Sequence, residues 1–310
     1  MGLERDRRDL TTTSNAGVIA PEIIEGAEEL SSVLEAARMR GATIGFIPTM
    51  GALHQGHTSL IGRARAECYH VVVSIFVNPT QFNSQNDFDK YPRDIDFDIE
   101  TAFEAGADYI FVPSVQEMYP KDSASKVVVP NISSIFEGES RPGHFEGVAT
   151  IVTKLFSIVG RCKAYFGEKD FQQLQLVRRL VADLHLPIEI IACPTVREED
   201  GLALSSRNQR LSLDERYAAG ILFHALTQGR MLIEQGERSR QVIEAKMQEI
   251  LSNEPMATLD YASVISADNF LQLDTLAGEV RLLIAANFGD VRLIDNIGVT
   301  VPMENQKGQQ

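Results

Sequence analysis

Residues 43–77 read TIGFIPTMGALHQGHTSLIGRARAECYHVVVSIFV, and the main folding signal of the chain lies in them. The apolar residues at 43–47 predict a short strand, which a glycine-containing turn at 48–56 and a helix from about 57 to 67 follow. Residues 71–77 are apolar at nearly every position and rich in Val and Ile, as is typical of a strand covered on both faces of a parallel sheet. We therefore predict a strand, a turn, a helix and a central strand.

The same alternation continues on both sides of this stretch. The apolar spacing from Leu30 to Ala37 predicts a first helix, which Gly41 ends. Further helices are predicted near 95–103, 147–159 and 169–184, and further strands at 108–112, 163–166 and 188–191. This order favours a Rossmann-like, doubly wound α/β sheet, whose ligand site lies beyond the carboxyl ends of its strands.

Near residue 196 the pattern changes to a polar loop that leads into a smaller α+β region. Its predicted elements are helices near 212–235 and 239–252 and strands near 258–265, 280–287 and 291–295. We therefore divide the chain into a flexible N-terminal tail at 1–20, a Rossmann-like domain at 21–195 and a smaller C-terminal domain at 196–310. The polar end at 303–310 is also expected to be mobile.

Composition excludes several classes of protein. The chain has 310 residues, of which 43 are acidic and 29 basic, so its net charge of −14 argues against general nucleic-acid binding. No apolar run approaches the roughly 18 to 20 residues of a membrane helix, and the charged N-terminal stretch lacks the apolar block of a signal peptide. We expect a cytoplasmic protein without membrane contact. The separated cysteines Cys68, Cys162 and Cys193 favour reduced, buried thiols.

The turn MGALHQGH at 50–57 is the strongest binding signal. Its two glycines allow close backbone approach, and the following helix N-terminus offers free N–H groups to an anion such as a nucleotide phosphate. His54 and His57 can donate to phosphate oxygens. A P-loop would have lysine where His57 stands, and the motifs of dinucleotide dehydrogenases and serine hydrolases are absent. The histidines could instead be plain turn and cap residues. They could also bind zinc, although no third ligand lies nearby at a helical spacing.

Two further polar segments are expected at the same edge of the sheet. In GEKDFQQ at 167–173, Lys169 follows a strand and could neutralise charge on a transferred phosphoryl group. The loop at 197–208 offers two serine hydroxyls and a guanidinium, at 205–207, to phosphate oxygens. A solvated helix start and a plain surface loop are the respective alternatives.

Two more segments predict contacts with a small substrate. Asn78 and Gln81 follow the central strand, so they are expected at the functional edge, where they could bind a neutral or hydroxylated molecule. The glycine-rich segment at 141–147 is typical of a mobile lid, with Arg141 and His144 available for a carboxylate. A plain surface turn is the alternative for this second segment.

The order of the motifs resembles that of a known enzyme family. The motifs are PTMGALHQGH, FVNPTQF, YPRD, RPGHFEGV, FGEKDFQQL and REEDGLALSSRN, within residues 21 to 300. In this order they resemble the pantothenate synthetases, which share the His-x-Gly-His turn with the nucleotidyltransferases related to class I aminoacyl-tRNA synthetases. The resemblance implies that ATP drives the condensation of (R)-pantoate with β-alanine to pantothenate, in coenzyme A biosynthesis. It further implies a pantoyl-adenylate intermediate, release of AMP and pyrophosphate, and a homodimer.

The resemblance also assigns roles to individual residues. His54, His57 and Lys169 are the expected catalytic residues, with His57 as the candidate proton donor. Gln81 and Gln173 are expected to bind pantoate, and Gln81 also lies near the position of β-alanine. The C-terminal domain is expected to close over the ATP site. The expected ATP-binding residues are Met50, Gly51, Ala52, Leu53, His54, Gln55, Gly56, His57, Gly167, Glu168, Lys169, Asp170, Val196, Leu204, Ser205, Ser206 and Arg207.

A magnesium ion is implied as well, held by an acidic residue after the Tyr-Pro-Arg motif. Asp94, Asp96 and Asp98 all follow that motif, and Asp98 is the best match.

Two alternative functions stay open at this point. A nucleotidyltransferase could move AMP or CMP to another acceptor, although the amides of Gln81 and Gln173 favour pantoate. A nucleotide-sensing module without catalysis would bind ATP and release no pyrophosphate.

Overall fold

The apolar stretch predicted as a central strand lies in the middle of a six-stranded parallel sheet. The computed structural model describes residues 20–301, so 1–19 of the predicted tail and the predicted mobile end at 303–310 lie outside the described residues. The strands are β1 (Glu22–Ile24), β2 (Ile44–Thr49), β3 (His70–Ile75), β4 (Tyr109–Phe111), β5 (Cys162–Gly167) and β6 (Ile188–Cys193). Their order is β1-β4-β3-β2-β5-β6, and all neighbours pair in parallel. Strand β1 was not predicted, because three residues carry no readable period.

Helices cover both faces of this sheet. They are α1 (Ala27–Met39), α2 (Gln55–Glu67), α3 (Gln85–Asp89), α4 (Ile95–Glu104), α5 (Val115–Met118), α6 (Glu137–Ser140), α7 (His144–Val159) and α8 (Phe171–Asp183). Apolar residues of α1, α7 and α8 pack on one face, and those of α2 and α4 pack on the other. This confirms the doubly wound α/β fold. Because β2 lies between β3 and β5, the strand order reverses at β2 and opens a crevice at its carboxyl end.

A three-stranded antiparallel sheet and three helices form the smaller C-terminal region. The helices are α9 (Leu213–Ala219), α10 (Ile221–Glu234) and α11 (Arg240–Ser252), and the strands are β7 (Ala257–Ser266), β8 (Glu279–Phe288) and β9 (Val291–Thr300). The single helix predicted at 212–235 is thus two helices that meet at Gly220, a poor helix former. Strand β9 runs five residues beyond its predicted end at 295. Within residues 20–301, no helix has both the length and the hydropathy needed to cross a bilayer.

The two regions share part of their hydrophobic core. Ile265 and Leu283, from β7 and β8, belong to the same buried cluster as Phe166 and Phe171 of the large domain. Phe270 stacks on Phe171, with their ring centroids 6.2 Å apart. Most of the buried apolar residues of the C-terminal region pack with one another in a separate cluster. The small sheet is therefore packed directly against α8 of the large domain.

An ion-pair cluster also joins the two regions. Arg292 of β9 donates to both carboxylate oxygens of Glu137, at 2.6 and 2.8 Å, and to Asp260 at 2.6 Å. The hydroxyl of Tyr261 donates to Glu137 as well, and Ser140 donates to Asp260. Since Glu137 is buried, these bonds fix helix α6 to the C-terminal sheet.

Candidate active site

A cavity of about 210 Å³ opens at the carboxyl ends of β2 and β5, where the strand order reverses. Its wall brings together most of the residues that the sequence singles out. These are Met50, His54, Gly56, His57, Asn78, Gln81, Gly167, Lys169, Asp170, Gln173, Val196, Leu204, Ser205, Ser206 and Arg207. Segments far apart in the chain thus meet where the doubly wound topology predicts a ligand site.

The two histidines of the turn cap the N-terminus of α2. The Nδ1 of His54 accepts from the backbone N–H of Gly56 at 3.1 Å, and the Nδ1 of His57 accepts from that of His54 at 3.3 Å. Their ring centroids are 4.2 Å apart. In the neutral form each ring therefore carries its proton on Nε2, so both rings offer N–H donors. The predicted cap role and the predicted anion-binding role are compatible.

Both rings are held in the neutral form. Burial, together with the nearby Lys169 ammonium, lowers the pKa of His54 to about 4. Burial and the adjacent His54 lower the pKa of His57 to about 3. At neutral pH the pair therefore supplies hydrogen-bond donors rather than cations. A proton-donor role for His57 requires a ligand charge that raises this pKa, and it stays a prediction.

Asp98 supports the turn from behind. Its carboxylate accepts from the backbone N–H groups of Ala52, at 2.9 Å, and Leu53, at 2.7 Å, and its side chain is buried. Burial raises the pKa of Asp98 in spite of these two bonds. Gly51 has φ +80°, and a Cβ there would lie 2.6 Å from an Asp98 oxygen. Because Asp98 does not line the cavity, this arrangement favours a turn-positioning role over the predicted Mg²⁺ ligand.

Lys169 lies on a single 3₁₀ turn, Glu168–Asp170, between β5 and α8. Its Nζ is 3.3 Å from the carboxylate of Asp170. Burial alone would raise the pKa of Asp170, but the cations of Lys169 and Arg207 hold it below its ordinary value. The turn therefore presents a cation and an anion side by side in the cavity wall.

The serine-arginine loop, Ser205 to Arg207, forms a further part of the cavity wall. Ser205 begins the 3₁₀ helix Ser206–Arg210, and its hydroxyl accepts from the N–H of Arg207. The guanidinium of Arg207 is 3.1 Å from Asp87, which also pairs with Arg210 at 2.8 Å. Helix α3, which contains Asp87, therefore orients this wall of the cavity.

The amides of Gln81 and Gln173 lie in the same cavity wall. Gln81 is buried; its Nε2 contacts the sulfur of Met50, and its Oε1 accepts from Asn78. Asn78 also donates to the carbonyl of Gly147, so its amide is occupied within the protein. The side-chain amide of Gln173 makes no hydrogen bond to other residues in the described range 20–301 and is free to bind a ligand.

Arg141 and His144 lie behind Gln81 and do not line the cavity. The His144 ring bonds to the carbonyl oxygen of Gln81 through Nδ1 at 2.8 Å, and its Nε2 is 3.2 Å from Arg141. Since a carbonyl only accepts, Nδ1 carries the proton and Nε2 accepts from the guanidinium. Burial and the Arg141 charge lower the pKa of His144 to about 3. The geometry favours support of the Gln81 backbone over the predicted carboxylate contact.

Other predicted ATP-binding residues lie near the cavity without lining it. Gly51, Ala52 and Leu53 face Asp98, Gln55 is exposed, and Glu168 pairs with Arg281 at 3.1 Å. Sequence reasoning missed Thr195 and Tyr91, which do line the cavity. Thr195 follows the end of β6, and Tyr91 belongs to the Tyr-Pro-Arg motif, so the sheet-edge rule and that motif were the available signals.

The fold and the cavity define an α/β protein with an anion-binding turn at its topological switch point. The sequence profile of the pantoate–β-alanine ligase family matches residues 22–298. The chain belongs to this family and is therefore a ligase of pantothenate synthesis.

Individual relatives agree with this family. The chain is 46% identical over 279 residues to a pantothenate synthetase of Caldicellulosiruptor saccharolyticus, covering 90% of this chain and 99% of the relative. It is 50% identical over 268 residues to that of Chloroflexus aggregans, covering 86% and 97%. A crystal structure of the pantothenate synthetase of Thermus thermophilus matches with a TM-score of 0.85 and 44% identity, covering 89% and 98%.

A further solved structure contains ligands. It is the pantoate–β-alanine ligase of Francisella tularensis, complexed with beta-gamma ATP and β-alanine. It matches with a TM-score of 0.75 and 36% identity, covering 90% of this chain and 97% of that protein.

Proposed function

We propose that this chain joins pantoate to β-alanine with ATP as the energy source, through a pantoyl-adenylate intermediate. The observation that carries the proposal is one cavity walled by two neutral histidine donors, a lysine, a serine-arginine loop and two glutamine amides. The ATP and β-alanine in the Francisella relative support it. The cytoplasmic location and the homodimer stay predictions.

The first step forms the adenylate. A carboxylate oxygen of pantoate attacks the α-phosphorus of ATP, and pyrophosphate leaves. Charge builds on the phosphate oxygens, and preorganised donors are most effective where charge develops. In this proposal Lys169, His54 and His57 supply those donors, and Ser205 to Arg207 bind the departing phosphates.

The second step forms the amide. The neutral amine of β-alanine attacks the activated carbonyl, AMP leaves with the former carboxylate oxygen, and the amine loses a proton. Asp170 is the acidic residue among the described residues that line the cavity, and its lowered pKa makes it a weak base, so positioning and exclusion of water carry this step. Gln81 and Gln173 would hold the hydroxyls of pantoate during both steps.

Mg²⁺ fits the cavity as an ion carried by the nucleotide. In the described residues 20–301, no three His, Cys, Asp or Glu side chains are grouped as a metal site. Mg²⁺ bound with phosphates needs only one or two protein carboxylates, and Asp170 is the acidic side chain in the cavity wall. The donor set therefore favours Asp170 over Asp98. When bound, the ion would neutralise charge on the phosphates.

Pyrophosphate release tests the proposal. The purified enzyme is assayed with ATP, Mg²⁺ and pantoate, with and without β-alanine, beside the variants His57→Ala and Lys169→Ala. Loss of one such donor is expected to lower kcat about 10²- to 10³-fold. Lys163→Ala, at the opposite end of β5, is the matched control and should keep full activity.

An isotope label tests the intermediate. With ¹⁸O in the pantoate carboxylate, one label should appear in AMP. Label that stays entirely out of AMP excludes the adenylate. Pyrophosphate release without pantoate points to another acceptor, and ATP binding without release points to a sensing module.

A further inference from the structure

Asn296 of β9, in the C-terminal region, contacts the 3₁₀ turn Glu168–Asp170, here called the Lys169 turn. Its side-chain Nδ2 donates to the backbone carbonyls of Glu168, at 3.0 Å, and Lys169, at 2.8 Å. Glu168 and Lys169 precede Asn296 in the chain by 128 and 127 residues. Asn296 is 3% exposed, so the contact is a buried one.

The side-chain amide and the backbone carbonyl of Asn296 are all hydrogen-bonded. Its Oδ1 accepts from Arg281 at 3.1 Å, which fixes the amide so that both N–H groups face the turn. Arg281 in turn lies 4.0 Å from the ring centroid of Phe171, at the start of α8. The carbonyl of Asn296 accepts from Arg197 at 3.1 Å. A side chain held from several directions has one rotamer and holds its partner rigidly.

The preceding residue, Asp295, binds Arg197, which follows the cavity residue Val196. Asp295, also buried, accepts two bonds from Arg197 at 2.6 and 2.9 Å. Arg197 pairs with Ala203 in a short bridge that leads directly into the serine-arginine loop. Two adjacent residues of β9 are therefore connected to both segments: Asn296 directly to the Lys169 turn, and Asp295 through Arg197 to the base of the serine-arginine loop.

We propose that Asn296 is a positioning residue that holds the Lys169 turn at a set distance from the serine-arginine loop. The inference rests on the proposed role of Lys169. The 3₁₀ turn is three residues long, so the two bonds from Asn296 hold it from outside its own segment. Displacements of about 1 Å in catalytic geometry cost rates of order 10²-fold. Loss of Asn296 should therefore reduce turnover without removing any group that touches substrate.

A double-mutant cycle tests this proposal. Asn296→Ala should lower kcat about 10- to 100-fold, the range found when a supporting contact is lost, with the KM for pantoate within about threefold of wild type. In a Lys169→Ala background the same change should cost less than about threefold. The affinity for ATP is also measured by calorimetry for all four proteins. This gives a second double-mutant cycle, which does not depend on turnover.

The control is another hydrogen bond between the two regions. Gln175 of α8 donates to the carbonyl of Ala267 at 3.0 Å, away from the cavity. Gln175→Ala should leave kcat near wild type. If Asn296→Ala is poorly folded, Asn296→Ser is used, which keeps a small polar side chain and loses the two amide donors.

The possible outcomes are distinct. Equal losses from Asn296→Ala in both backgrounds would mean that Asn296 acts on stability alone, and the proposal would be wrong. If Lys169→Ala itself keeps full activity, the proposed function of Lys169 fails first, and this inference fails with it. Coupling between the two sites, with Gln175→Ala silent, supports the positioning role.

Discussion

Replacement of Asp98 by Asn separates two roles for this carboxylate, support of the turn and binding of a metal. Both of its oxygens accept from buried backbone N–H groups, of Ala52 and Leu53. Asn keeps one acceptor and turns an NH₂ toward the second N–H. A buried donor that loses its partner costs about 1–3 kcal/mol. We expect Asp98→Asn to lower the free energy of unfolding by about that much. Asp98→Ala leaves both donors without a partner and should lower it by about 2–6 kcal/mol.

Thermal unfolding without Mg²⁺ or nucleotide measures this effect. Because the chain has no Trp, circular dichroism follows the transition. Asp96→Asn is the matched control, since Asp96 is an exposed acid on the same helix and its loss should change stability by less than about 0.5 kcal/mol. If Asp98→Asn melts like wild type but requires more Mg²⁺ for turnover, the positioning argument is refuted and the carboxylate is a metal ligand.

Gly51→Ala should destabilise the protein by more than about 1 kcal/mol in thermal melts, because φ is +80°, whereas Gly62→Ala, in an open position of α2, should not destabilise it. Burial lowers the pKa of His57 from 6.5 to about 3 in the folded state, so stability that is fully present above pH 6.5 is lost progressively as the pH falls from 6.5 toward 3. At pH 5.5, His57→Gln should recover about 1 kcal/mol relative to its effect at pH 7.5, and equal differences at both pH values would contradict the shift. Glu137→Gln should speed backbone amide hydrogen exchange in α6, because it weakens the bonds from Arg292 that hold this helix. Mass spectrometry measures the exchange, and an unchanged rate would mean that other contacts hold the helix.

The large sheet could be predicted because its signals are local. The unbroken apolar run of β3 and the turn after β2 each lie within a few residues, and the sheet-edge rule then places the turns together. Strand β9 was cut short in the prediction because Asp295 and Asn296 interrupt its apolar pattern. Asp and Asn are depleted in strands, and here both side chains have buried partners: Asp295 accepts from Arg197, and Asn296 donates to the Glu168–Asp170 turn of the large domain.

The candidate site could be predicted only where the type of a residue and its motif together indicate a chemical role. The cavity residues His54, His57 and Lys169 were identified from their motifs, whereas the supporting contacts were not. In the sequence, Asp98 cannot be told from a metal-binding aspartate, because the side chain is the same. Only its burial and its two backbone donors, seen in the structure, indicate that it supports the turn. The role of Asn296 depends on a contact over more than one hundred residues, which no local pattern encodes.

The shared hydrophobic core limits how this enzyme can be dissected. A fragment ending at residue 195 would keep the whole parallel sheet, yet it would lose Ile265, Phe270 and Leu283, which cover α8. Phe171, now 4% exposed, would face water in such a fragment. An apolar surface that becomes exposed in this way promotes aggregation. Complementation between the two halves therefore requires that they be co-expressed, so that each half meets its counterpart before it self-associates.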